Sequence, residues 1–216
     1  MRMRKFFLFI LIISLSHLTS ALAEKVVVFE FTKEEKKILK VRKVKKTTTY
    51  TLGSNENGNF LKAESEGNAS GLGIEKKINL LKTPFINITW KVEKDLFGID
   101  EKSKKGHDYA ARVFVIKKTG ATALSNRAIN YVFSSNNFVG ENWPSPYTKK
   151  SIDYVLSTTK EHQDQWVTVK ANVREHFKKL HELDVKELNG VAIMTDTDNS
   201  KLKVISYYQN IYFSSK

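Results

Sequence analysis

Short segments with apolar residues at every second position recur through most of the chain, at intervals of roughly 10–15 residues. Side chains alternate between the two faces of a strand, so such a segment buries one face and wets the other. The clearest case is Ile86, Ile88, Trp90 and Val92, with polar residues between them. Others lie at 26–31 (VVVFEF), 47–52, 60–65, 109–116, 127–133, 152–156, 191–195 and 204–213. Residues 33–46 are dense in lysine but include Ile38, Leu39, Val41 and Val44, which suits a short helix or an exposed strand. Val169, Val173, Phe177 and Leu180 stand at helical spacing and predict one amphipathic helix over 166–183. Residues 53–58, 67–73, 94–106, 119–126 and 134–150 read as turns and loops. Many strands and one helix predict an all-β fold: a two-sheet antiparallel β-sandwich of jelly-roll type, a single domain over 24–216. A parallel α/β sheet would need helices between its strands.

Residues 1–23 have the layout of a secretory signal peptide. Arg2, Arg4 and Lys5 precede an apolar stretch, and Ala21-Leu22-Ala23 forms a cleavage site. Cleavage would leave Glu24 first and 193 of the 216 residues. Losing those three cations lowers the formal charge from +13 to +10. No later stretch is apolar enough for a membrane span, so the expected location is periplasmic or secreted, in a Gram-negative bacterium. A basic exported chain suggests anionic partners, such as an acidic polysaccharide, lipid headgroups or lipopolysaccharide, and argues against nucleic acid. The chain has no cysteine. Thiol chemistry and cysteine-ligated metals are therefore excluded, and stability must come from the apolar core.

Three motifs carry candidate chemistry. In 190–199 (GVAIMTDTDN) an apolar run passes straight into carboxylate and amide groups. At period two, Asp196 continues the Ala192 and Met194 face, and Thr195 that of Val191 and Ile193. Asp196, Asp198 and Asn199 offer oxygen ligands of the kind Ca²⁺ takes. The spacing opens like a calcium loop, but it lacks the glycine at its sixth position and has Tyr207 where the bidentate glutamate belongs. A polar turn or a ligand-binding rim are the alternatives. In the second motif, 106–112 (GHDYAAR), Asp108 and Arg112 share one strand face. Arg112 could clamp a carboxylate of a uronic acid, or pair internally with Asp108 or Asp196. Third come rings suited to stacking on sugars: Tyr131, together with Trp143 and Tyr147 in a loop holding Pro144 and Pro146. Trp90 lies within the apolar alternation and belongs to the core. The histidines follow no zinc-protease spacing, and neither a nucleophile elbow nor a phosphate-binding loop occurs.

Trp90-Lys91-Val92, the run 106–115 (GHDYAARVFV), Asn130-Tyr131-Val132-Phe133, Trp143-Pro144-Ser145-Pro146-Tyr147, the run 191–199 and Tyr207-Tyr208 together resemble the DUF3047 family of exported bacterial proteins. The resemblance spans roughly 62–213 and implies a jelly roll similar to carbohydrate-binding modules, with no assigned activity. The family favours Gly-Asp-Asp where this chain has Gly106-His107-Asp108. It also favours Gly-Asp where Gln209-Asn210 follow the tyrosine pair.

The expected function is non-catalytic binding of a glycan or other anionic envelope component, with Asp108, Arg112, Tyr131, Trp143, Tyr147, Asp196 and Asp198 as ligand-binding residues and no cofactor, Ca²⁺ excepted. One alternative is a polysaccharide lyase or hydrolase acting on an acidic glycan, with His107 or Tyr109 as base and Arg112 on the substrate carboxylate. The other is a structural domain in which the same residues form an internal polar network.

Overall fold

A computed structural model describes residues 23–122 and 125–216. Most of the signal-peptide expectation, residues 1–22, lies outside them. In chain order the elements are β1 (Lys25–Phe29), α1 (Lys33–Ile38), β2 (Lys40–Lys45), β3 (Thr49–Asn55), β4 (Gly58–Glu66), β5 (Ala69–Asn79), β6 (Phe85–Lys94) and β7 (Ala111–Lys117). They continue with β8 (Arg127–Ser134), β9 (Asn142–Ser145), β10 (Thr148–Thr158), α2 (Thr159–His162), β11 (Val167–Asn172), α3 (Val173–His181), β12 (Glu187–Asp196) and β13 (Lys203–Ser214).

The strands build two sheets. The smaller runs β11-β6-β13-β4-β3, with β1 also on β13, and the larger runs β2-β5-β12-β7-β8-β10-β9. Every pairing is antiparallel except β8 with β10. Between the sheets lies the core, filled by the inward residues of each alternation. Ile86, Ile88, Trp90 and Val92 come from one side; Val113, Val115, Ile129, Phe133, Val191 and Ile193 come from the other. The buried Trp90 indole donates to Ser157 Oγ across that core (2.9 Å). This is the sandwich that the alternation predicts.

Four segments differ from the expectation or refine it, each for a local reason. Residues 67–73 are not a loop, because β5 begins at Ala69 and lies between β2 and β12. A Cβ on Gly71 would sit 2.8 Å from the Ile193 carbonyl oxygen, so glycine is what lets the two backbones approach. The predicted helix over 166–183 divides. Val167, Val169 and Ala171 pair with β6 as β11, opposite Trp90, Ile88 and Ile86. The helix then starts at Val173, where Asn172 Oδ1 accepts the Glu175 N–H (3.1 Å). Val169 shares helical spacing with Val173 only by coincidence. Within 134–150, expected as a loop, Asn142–Ser145 turns back onto β10 through Pro146 and Tyr147. Residues 33–46 contain both predicted alternatives. Thr32 Oγ1 caps α1 by accepting the Glu35 N–H (3.0 Å), and β2 follows as an edge strand.

Candidate functional site

The outer face of the larger sheet, turned away from the core, is unusually polar for a buried surface. The strand register lays its side chains out in rows. One row runs Ala192, Phe114, Asn130, Asp153, Trp143 across β12, β7, β8, β10 and β9. The next runs Met194, Arg112, Val132, Val155. Asp196 extends the Ala192 and Met194 face just beyond, while Thr195 points inward to the Tyr208 hydroxyl (2.8 Å). Residues 95–110 fold over this face. Tyr109 packs there with Val132, Trp143 and Val155 as a small apolar cluster separate from the main core.

Arg112 and Asp196 form an ion pair at 2.5 Å, with side chains only 6% and 2% exposed. The guanidinium lies between the Tyr109 and Phe114 rings, 5.3 and 5.2 Å from their centroids. Its Nη2 also reaches Met194 Sδ (3.3 Å). Burial, opposed by Arg112 and reinforced by Asp108 and Asp198, pushes the Asp196 carboxyl up to about 7. Burial also works against charge on Arg112, yet Asp196 and Asp153 hold its pKa above the ordinary value. Asp108, wholly buried, accepts N–H groups from Ser200 (2.5 Å) and Asn199 (3.2 Å) and the Asn199 side-chain amide (2.9 Å).

A third buried carboxylate, Asp153, sits beside them. Asp153 accepts from the Asn130 amide (2.6 Å) and the Tyr109 hydroxyl (3.2 Å) and bonds His107 Nε2 (2.7 Å). Burial, with Asp153 and Glu101 nearby, raises the Tyr109 phenol well above its ordinary range. Glu101 anchors the covering loop. It takes Ser134 Oγ (2.5 Å), the Ser135 N–H (2.8 Å) and the Asn136 and Asn137 amides (3.2 and 2.8 Å). Asn130 Oδ1, Trp143 Nε1 and Arg112 Nε are buried without a hydrogen-bond partner among the described residues.

Asp108, Arg112, Trp143, Tyr147, Asp196 and Asp198 gather on this one side of the molecule. Tyr131 does not join them: it points into the main core, with its hydroxyl 3.1 Å from His176 Nδ1. The expectation of an open hollow lined by Asp108, Arg112 and Asp196 is corrected, because all three are buried and bonded to protein partners. Two surface hollows, of about 400 and 310 Å³, include none of the seven residues. The accessible part is the rim. Tyr147 is 57% exposed, its ring edge-on to His107, its hydroxyl 2.9 Å from Asn199 Oδ1 and 3.2 Å from the Lys104 carbonyl. Lys102 Nζ stands 4.8 Å above the Trp143 ring, and Lys104 Nζ stands 5.9 Å above that of Tyr147. Asp198 is half-buried beside them.

Asp108, Asp196 and Asp198 place one oxygen each within 4.8 Å of the others. Such a donor set suits Ca²⁺ in kind. However, Asp196 already holds the Arg112 cation and Asp108 accepts N–H groups of Asn199 and Ser200, so two of the three carboxylates are engaged within the protein. Lyase chemistry meets the same obstacle, because Arg112 is engaged with Asp196 and the Tyr109 phenol resists ionisation. Asp153, Glu101 and Asn130 were missed in the sequence. Asp153 alone left a signal, as an acid in the middle of an apolar run (SIDYVLS).

Among solved structures, the chain is similar to the family 30 carbohydrate-binding module of a cellulosomal cellulase of Clostridium thermocellum. The TM-score is 0.52 and the identity 7%, over 89% of this chain and 98% of that one. It is also similar to a thermostable cellulase derived from that of Rhodothermus marinus (TM-score 0.47, 9% identity, 82% and 90% covered). A third likeness is to the xyloglucanase domain of a type three effector from Sinorhizobium fredii (TM-score 0.43, 13% identity, 82% and 93% covered). At 7% identity the first of these likenesses concerns the fold alone. No curated protein matches the sequence. Residues 34–212 match DUF3047, described as a protein of unknown function, and the chain belongs to that family.

Proposed function

We propose that the protein is an exported, non-catalytic module that binds an acidic glycan of the bacterial envelope at the Tyr147 rim. The observation that carries this reading is an exposed ring held in one place. Tyr147 is tied through its hydroxyl to Asn199 and Lys104, braced by His107 and overlain by the Lys104 ammonium group, while Lys102, paired with Glu141, lies over the Trp143 ring of the same hairpin. A fixed ring offers a stacking face at small entropic cost, and the neighbouring cations suit carboxylate or phosphate groups on the sugar. In this reading the Arg112–Asp196 and Asp108–Asn199 contacts hold the rim from below and do not touch ligand. The shared fold with a carbohydrate-binding module supports it as a scaffold able to carry such a surface.

The test is a glycan array that includes uronates and lipopolysaccharide, probed with the purified protein and with Tyr147→Ala combined with Lys102→Ala. Acidic glycans are expected to be retained by the first and lost by the second; equal retention would overturn the reading. Export is part of the proposal, and amino-terminal sequencing of the product made in a Gram-negative host should begin at Glu24. The purely structural alternative is favoured by the sealed state of Arg112 and Asp196. It predicts no retention on any glycan.

A further inference from the structure

The edge of the larger sheet opposite β9 is built unlike any other edge of the molecule. All six residues of β2 are exposed. From Lys33 to Lys46 the chain carries eight lysines and arginines against two glutamates. Set among these cations are three exposed aliphatic side chains, Ile38 (67%), Val41 (62%) and Val44 (59%). Lys40 and Arg42 flank Gly73 and Gly71 on one face, Val41 and Lys43 lie on the other, and the register shifts between Lys43 and Lys45.

Lysines and an irregular register on an edge strand discourage pairing with another strand, so a second copy is a poor occupant. Those devices do not explain the aliphatic groups. A soluble polyanion would use the cations and leave Ile38, Val41 and Val44 in water. The interface of a bilayer takes both, because headgroup phosphates meet the ammonium groups while aliphatic tips enter the acyl boundary and the lysine stems lie alongside.

We propose that the α1–β2 edge seats the protein on a bilayer that carries anionic headgroups. Docking is peripheral: no helix of the described residues is long and apolar enough to cross a membrane. The sheet order puts β2 and β9 at opposite edges. The Tyr147 rim lies nearer to β2 than that order suggests, because the Tyr147 hydroxyl reaches Asn199 just beyond β12 (2.9 Å) and Ala69 of β5 pairs with both Asp196 of β12 and Lys45 of β2. The inference stands whether or not that rim binds a glycan.

Co-sedimentation tests it, using vesicles of phosphatidylglycerol mixed equally with phosphatidylcholine, and of phosphatidylcholine alone. Binding is expected only to the former and should fall steeply with added salt. Lys40→Glu with Arg42→Glu and Lys43→Glu should weaken it by about tenfold or more. Val41→Ser with Val44→Ser should weaken vesicle binding several-fold and leave binding to dextran sulfate unchanged. Tyr147→Ala should leave vesicle binding intact, and thermal melting confirms that each variant is folded. Three results would overturn the proposal: equal binding to uncharged vesicles, no binding to either, or serine variants that bind anionic vesicles like wild type. The last would mark β2 as a reader of soluble polyanions.

Discussion

In the middle of the seven-stranded sheet, across β12, β7, β8 and β10, both faces are largely buried, yet they are held by different physics. On the inner face Val113, Val115, Ile129, Val191 and Ile193 meet the other sheet through apolar contact alone. On the outer face Arg112, Asn130, Asp153 and Asp196 are buried as completely but depend on named partners. Apolar packing degrades gradually, because each methyl group adds a little area. A buried polar network does not, because removing one member leaves another charged or unpaired in a dry place. The inner face therefore specifies that the sheets meet. The outer face specifies how the covering segment 95–110 and the turn at Asn199 sit, and hence where Tyr147 is presented.

The largest test of this contrast is Arg112→Ala, which strands Asp196. A loss of about 3–5 kcal/mol is expected in denaturant unfolding. It should be fullest above pH 7, where the Asp196 carboxyl, pushed up to about 7, is ionised. Replacing both partners, as Arg112→Met with Asp196→Leu, should recover much of that loss; equal damage from the double change would break the contrast. Next comes Asp153→Asn, which keeps the shape but faces the Asn130 amide with another amide and removes the carboxylate beside His107. About 1–3 kcal/mol is expected by the same measurement. On the inner face Ile193→Val should cost only about 0.5–1.5 kcal/mol, and a larger loss would show that packing there is as exacting as the polar network.

The pH dependence is a gentler probe. Folding raises the Asp196 pKa from the usual carboxylate value to about 7, so between those values the folded state binds the proton more tightly. Its contribution to stability is present below about pH 4 and is lost as pH rises through about 7. Melting followed from pH 5 to 8 should show a decline that Asp196→Asn removes. An identical profile in that variant would mean that Arg112 holds the carboxylate ionised throughout.

The sandwich was legible because alternation reports burial directly. All four of Ile86, Ile88, Trp90 and Val92 point inward, and the assignment of Asp196 to the Ala192 and Met194 face also holds. What escaped had no periodic trace. Gly71 and Gly73 look like loop residues until a neighbouring strand is known to press on them. Val169 sits four residues before Val173 in a strand as it would in a helix. Asp153 gains its meaning from His107, 46 residues away, and Glu101 from Asn137, 36 away. The same limit applies to the site. The sequence brought Asp108, Arg112 and Asp196 to one place, but the engagement of Asp108 depends on Asn199 and Ser200 backbone groups that no side-chain pattern announces.

Titration of an acidic oligosaccharide into two variants separates a network that supports from a rim that binds. Tyr147→Ala with Lys102→Ala should lose binding with little change in melting temperature. Arg112→Met with Asp196→Leu, provided it melts near wild type, should bind within a few-fold of it. Binding that survives the rim change but vanishes with the network change would put the ligand on the network and not on the rim.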